Sequence, residues 1–155
     1  MSMSNASETA LLNLLFNNTD WANVGDAAGL QNSAAAGSFY VALHTADPTD
    51  AGNQTTSEAS YTGYARVAVA RTGGGWTVSG NQVSNTATVQ FGECTAGSAT
   101  VTHFSVGLLA SGAGDILYSG ALSASRAVSA GITPLFNPAT LVGTVPSTNP
   151  QWMQR

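Results

Sequence analysis

The chain reads as an all-β protein: an antiparallel β-sandwich of jelly-roll or Greek-key type with a short N-terminal helix and an extended C-terminal arm. Three observations predict this. Short runs from Ser38 onward alternate apolar and polar residues with period two, as half-buried strands do. Gly, Asn and Asp punctuate those runs at close spacing. No stretch of helical periodicity lies between them, which sets aside alternating βαβ units. The expected organisation is residues 1–37 as helix and connector, 38–141 as the sandwich and 142–155 as the arm.

Asn5 to Phe16 is expected to form the helix. Asn5 and Glu8 have the spacing of a capping box, and Leu11, Leu12, Leu15 and Phe16 form one apolar stripe. A helix this short is marginal in isolation and must dock. The glycine-containing connector from Asp20 to Gly37 follows, with Trp21 as its expected anchor. Phe39, Val41 and Leu43 then alternate with Tyr40, Ala42 and His44 in a first strand. A polar loop containing Asp47, Pro48, Asp50 and Gly52 separates it from a second strand over Tyr64 to Arg71.

Gly80-Asn81 predicts a hairpin between Trp76–Ser79 and a long arm, Gln82 to Phe91, with Val83, Ala87, Val89 and Phe91 on its buried face. Ser98 to Leu109, Ile116 to Leu122, Arg126 to Val128 and Ile132 to Phe136 supply the remaining strands. Pro134 and Pro138 make the last of these an edge or irregular strand. Beyond Leu141 the strand pattern is expected to stop. Pro146, Pro150, Trp152 and Met153 fit an arm laid on its own domain or on a neighbour.

Composition narrows the function. At 155 residues the chain is long enough for one domain whose core needs no disulfide or metal, and its single cysteine, Cys94, reads as a structural thiol. Only 8% of residues are charged, lysine is absent and the net charge is −4. Four scattered arginines make no basic stripe, which disfavours nucleic acid and anionic membranes as partners. No run reaches the length of a membrane span, the N-terminus lacks a basic signal region, and a soluble chain is expected. So uncharged a surface suits a protein surrounded by protein.

Motifs of catalysis are not found: no GxSxG, Walker loop, HExxH or paired cysteines. Gly73 to Gly75 precedes a strand, whereas a phosphate cradle opens a helix. His44 and His103 favour structural roles over a metal or acid–base site with Asp47. Asp47, Asp50, Gly52 and Asn53 lack the ligand spacing of a calcium loop. Tyr40, Tyr61 and Tyr64 could form a saccharide-stacking patch, although packing is the commoner fate of such tyrosines. Arg66 stands out because a cation beside a strand in so uncharged a chain calls for a dedicated partner. No catalytic, cofactor-binding or metal-binding residue is assigned. Trp21, Arg66, Trp152 and Met153 are the candidate interface residues.

The blocks GDAAGLQNSAAAGSFYVALHTADPTDAG, SYTGYARVAVAR, GWTVSGNQVSN, GSATVTHFSVG and GAGDILYSGALSASRAVSAGITPLF resemble a family of small tailed-bacteriophage virion structural proteins, from about Gly25 to Leu141. Members are head decoration or cement proteins, or tail-fibre-like proteins. The resemblance implies a non-enzymatic virion protein without cofactor, made in the host cytoplasm. Its leading reading is a homo-oligomer, dimer or trimer, that binds the major capsid protein and cements the outer face of the head shell. The alternative is a tail or tail-fibre component involved in host receptor binding.

Overall fold

The computed structural model describes residues 3–145. In chain order the elements are α1 (Asn5–Phe16), β1 (Ser38–His44), β2 (Val67–Ala70), β3 (Trp76–Ser79), β4 (Gln82–Asn85), β5 (Val89–Gln90), β6 (Ser98–Gly107), β7 (Ile116–Ser129), β8 (Leu135–Phe136) and β9 (Val142–Thr144). The protein is all-β with one short helix, as its residue pattern predicts. Its elements group into two compact units. Among the described residues the first draws on 3–37, 70–87 and 138–145; the second consists of Ser38–Val69 and Thr88–Asn137.

In the first unit α1 covers the expected residues, but its cap differs. Ser4, extended at φ −76° and ψ 155°, is the N-cap and accepts from the Ser7 amide, while Asn5 is already helical. Glu8 is therefore no capping partner. It shares the buried stripe with Leu12 and Phe16, four and eight residues on, and its Oε1 makes no hydrogen bond. Phe16 meets the Trp76 ring edge-on at 5.0 Å, and both rings are buried. At the other end of β3, Thr9 Oγ1 donates to the Gly80 carbonyl at 2.9 Å. These contacts dock a helix too short to persist by itself.

The last turn of α1 has no basic residue. Arg71 supplies the cation from another segment, donating from Nε to the Leu15 carbonyl, from Nη2 to that of Leu14 and from Nη1 to that of Ala36. A guanidinium there satisfies carbonyls that the helix leaves unpaired and opposes its negative end. Arg71→Ala should cost about 2 kcal/mol, and Arg71→Lys should recover less than half of this because an ammonium lacks the fork. Urea unfolding curves of the three chains measure both.

β3 and β4 form the hairpin expected at Gly80-Asn81, with Trp76 opposite Asn85 and Ser79 opposite Gln82. Two boundaries differ from the sequence reading. The long arm to Phe91 breaks after Asn85, whose buried side chain donates to the Ala87 carbonyl and accepts from the amides of Thr140 and Leu141. An amide so committed bends the chain out of the ladder, and Ala87 lies exposed. Strand pairing also runs past Leu141, since Val142–Thr144 joins β4 as β9. The rest of the expected arm, including Trp152 and Met153, lies outside the described residues.

The second unit contains a four-stranded sheet in the order β2-β1-β6-β7 and a two-stranded sheet, β5-β8. Phe136 of β8 packs edge-on against Phe104 of β6 at 5.7 Å and against Phe91 at 6.2 Å, joining the sheets as an aromatic-filled sandwich. β1 pairs antiparallel with β6, Tyr40 opposite Gly107 and His44 opposite His103. The period of two in β1 does not make it half-exposed: Ala42 and His44 are as buried as Val41 and Leu43, because the loop after β1 folds back over the second face. The second expected strand shortens to Val67–Ala70. Ile116–Leu122 and Arg126–Val128 are one strand, β7, in which Leu122 to Ser125 face only Thr102 of β6.

Candidate functional site

Arg66 does have a dedicated partner, within its own chain. Gly63 turns the backbone at φ +99°, and Tyr64 and Arg66 follow it just before β2. Glu58 reaches the same place from the end of the long loop, where it bridges His44. The guanidinium grips the carboxylate in a fork, with Nε–Oε1 and Nη2–Oε2 both 2.7 Å. Both side chains are largely withdrawn from water. The Tyr64 hydroxyl donates to Glu58 Oε1 at 2.9 Å and accepts from the Leu43 amide at 3.1 Å. Burial pushes the Tyr64 phenol far above its ordinary range, and the carboxylate beside it reinforces this. The hydrogen bond to Glu58 raises the Arg66 pKa.

The rest of the guanidinium holds a loop. Nη1 donates to the Leu109 carbonyl at 3.0 Å and Nη2 to that of Gly112 at 2.8 Å. Gln54, wholly buried, holds the same loop from the other side. Its Oε1 accepts from the Leu109 amide at 2.9 Å and its backbone N–H donates to the Gly114 carbonyl at 2.9 Å. Gly107 and Gly114 leave room for it, since a Cβ at either position would lie 2.3 Å from the Gln54 side chain. The Leu108 amide closes the loop on the Asp115 carbonyl at 3.1 Å. The β6–β7 connection is thus fixed at both ends and in its middle.

This loop displays apolar side chains. Leu108 and Leu109 are 42% and 48% exposed, and Ala110 to Ala113 are exposed beside them. The sequence reading placed both leucines inside a strand, but β6 ends at Gly107. It also passed over Gln54 and Glu58, which lie in a polar loop without any periodic signal.

The other candidates are placed as follows. Trp21 is half-buried and exchanges both backbone hydrogen bonds with Leu30, closing the connector loop. Tyr61 is buried, donates to the Gly92 carbonyl and meets Tyr64 edge-on, while Tyr64 stacks on Phe91. These two tyrosines serve packing, and Tyr40 is half-buried in β1. Cys94 is buried with Sγ against the Ala96 and Gly97 carbonyls. Among the described residues no three His, Cys, Asp or Glu side chains lie where they could hold a metal ion. Asp47 and Asn53 instead accept from backbone amides two residues on. Among the described residues no helix is long and apolar enough to cross a membrane.

His44 is fully buried between two neutral partners, its Nδ1 2.8 Å from the Thr56 carbonyl and its Nε2 2.8 Å from Ser105 Oγ. The carbonyl can only accept, so Nδ1 carries the proton and the serine hydroxyl donates to Nε2. Burial lowers its pKa below the ordinary 6.5. The unfolded chain therefore binds this proton more readily, so stability is complete above pH 6.5 and falls as pH drops through that value toward the folded pKa. One proton allows a slope of about 1.4 kcal/mol per pH unit. Melts of the native chain and of His44→Gln over that window should show the slope only in the first.

The class these features define is a structural β-protein, whose ion pair and buried amide are spent on displaying a loop. Its family is given by sequence comparison. Residues 2–144 match the family model described as Podophage GP4 fiber I protein gp80, and the chain belongs to that family. It is therefore a structural protein of the phage virion. The match takes in α1 and β9, further in both directions than the Gly25 to Leu141 resemblance. No curated protein sequence matches the chain.

Proposed function

We propose that this chain is a non-enzymatic component of a podophage tail fibre. A rigid β module would display contact loops at the virion exterior, alongside further copies of itself. The observation that carries this reading is the match of residues 2–144 to a family described as a fibre protein. The reading departs from the head-cement role placed first on sequence resemblance, because the family description favours the alternative. The 155-residue chain without lysine supports contact with protein rather than with nucleic acid or anionic lipid. Host receptor contact through the exposed loops is part of the same proposal.

Two measurements on purified virions test it. Quantitative mass spectrometry gives the ratio of this chain to the major shell protein, and gold-labelled antibody gives its position. A fibre component is expected well below the shell protein in copy number, with label at the tail. A ratio near one with label over the head would instead make it a shell-coating protein.

A further inference from the structure

Beyond that role, the register of β6 and β7 shows where a second copy of this chain fits. β7 ends the order β2-β1-β6-β7, so no further strand of the described residues lies on its outer side. An open edge is normally short, or guarded by proline or charge. The other edge strands, β2, β3, β5, β8 and β9, are two to four residues long. β7 runs for 14 residues, and its stretch Ile116–Ala121 contains neither proline nor charge. Exposed Asp115 precedes that stretch; the Leu122–Ser125 bulge and exposed Arg126 follow it. Such an edge, with alternate N–H and C=O groups facing outward, pairs with another extended strand.

β6 measures where the features of β7 fall. The Asp115 carbonyl accepts from the Leu108 amide, Ser119 lies opposite Ser105, and Arg126 lies opposite Val101. Along β6, Asp115 is therefore three residues to one side of Ser119, and Arg126 is four to the other. An antiparallel two-fold through Ser119 would set Arg126 of each copy within one residue step, about 3.4 Å, of Asp115 of the other. The same rotation carries Leu108 onto the level of Thr102, which the bulge of the other copy faces. Exposed Leu108 and Leu109 would gain a cover there. We propose that β7 pairs antiparallel with β7 of a second copy through Ile116–Ala121, with Ser119 near the two-fold axis. A second copy is the occupant because one rotation matches the open edge, the two opposite charges and the apolar pair at once. The uncharged stretch also meets its own copy without like-charge repulsion. This names the surface for the copy-to-copy contact in the reading above and rests on that part of it, not on a tail location.

The test is the oligomeric state of the purified full chain by sedimentation velocity, with thermal melting as the check on folding. The native chain is expected to sediment as a dimer, and a monomer at the highest soluble concentration overturns the proposal. Ser119→Lys, at an exposed position, puts two like charges beside the axis and should weaken the dimer about a hundredfold. Asp115→Arg and Arg126→Asp should each weaken it about tenfold, and the two together should restore it, because the exchange rebuilds the pair. A dimer indifferent to Ser119→Lys, or a double variant no better than the single ones, places the contact elsewhere and overturns the proposal. If Ser119→Lys loses its melting transition, Ser119→Cys decides: mild oxidation should join two copies at position 119, and unjoined chains overturn the pairing. Gold label over the head would remove the fibre reading and leave a native dimer standing, whereas a monomer would remove this contact and leave the tail location untouched.

Discussion

Arg66→Met should lower stability by about 3 kcal/mol, a fall in Tm of about 6 to 12 °C for a chain of this size. The loss follows from what the substitution leaves behind. Glu58 would lose its cation in a place shielded from water, with the Tyr64 hydroxyl as its remaining side-chain donor. The carbonyls of Leu109 and Gly112 would lose their donors as well. Glu58→Gln in the same background removes the unpaired carboxylate, so the double variant should be more stable than Arg66→Met. Arg66→Lys keeps the charge without the fork and should fall between native and Met. Hydrogen exchange separates the local effect from the global one: the Leu109 amide, bonded to Gln54 Oε1, should lose protection in Arg66→Met well beyond the global change. Equal loss of protection across β6 and the loop would show that the ion pair supports the sandwich and not the loop.

What the sequence disclosed divides along a physical line. Elements whose pattern is local were legible: α1 from its apolar stripe, the β3–β4 hairpin from Gly80-Asn81, and β1 from its alternation. Elements fixed by a distant partner were not. β9 exists because β4 offers an edge to Val142–Thr144, a run with little pattern of its own. β7 continues through Ser123–Ser125 because β6 is beside it, although these small exposed residues carry no hydrophobic signal. The break after Asn85 comes from a buried amide that accepts from amides 55 and 56 residues away. The site follows the same rule. Arg66 was conspicuous as a rare cation, whereas its partner Glu58 and the loop it pins, from Leu109 to Gly112, are brought to it only by the fold.

Gly63→Ala should be at least as damaging as loss of the ion pair, at about 4 kcal/mol, since it combines two faults. Gly63 holds φ +99°, which side chains with a Cβ rarely adopt, and its added Cβ would lie 2.1 Å from the Glu93 carbonyl oxygen. That oxygen is backbone and cannot swing aside. The approach is mutual, since a Cβ on Gly92 would lie 2.0 Å from the Gly63 carbonyl oxygen. The two segments are held there by the Thr62 amide on the Ala96 carbonyl and the Thr95 amide on that of Thr62. The faults can be measured apart. Gly131→Ala, at φ +85° with nothing within 4 Å, carries only the strain and should cost about 1 kcal/mol. Gly92→Ala carries only the collision. If the Gly63 loss approximates the sum of the other two, the crossing is rigid; if it barely exceeds Gly131→Ala, the segments can part. Rigidity here bears on the displayed loop, because Gly63 sets the path of the chain into Tyr64 and Arg66. A rigid crossing predicts that Gly63→Ala exposes the Leu109 amide to exchange as Arg66→Met does, without touching any residue of the loop.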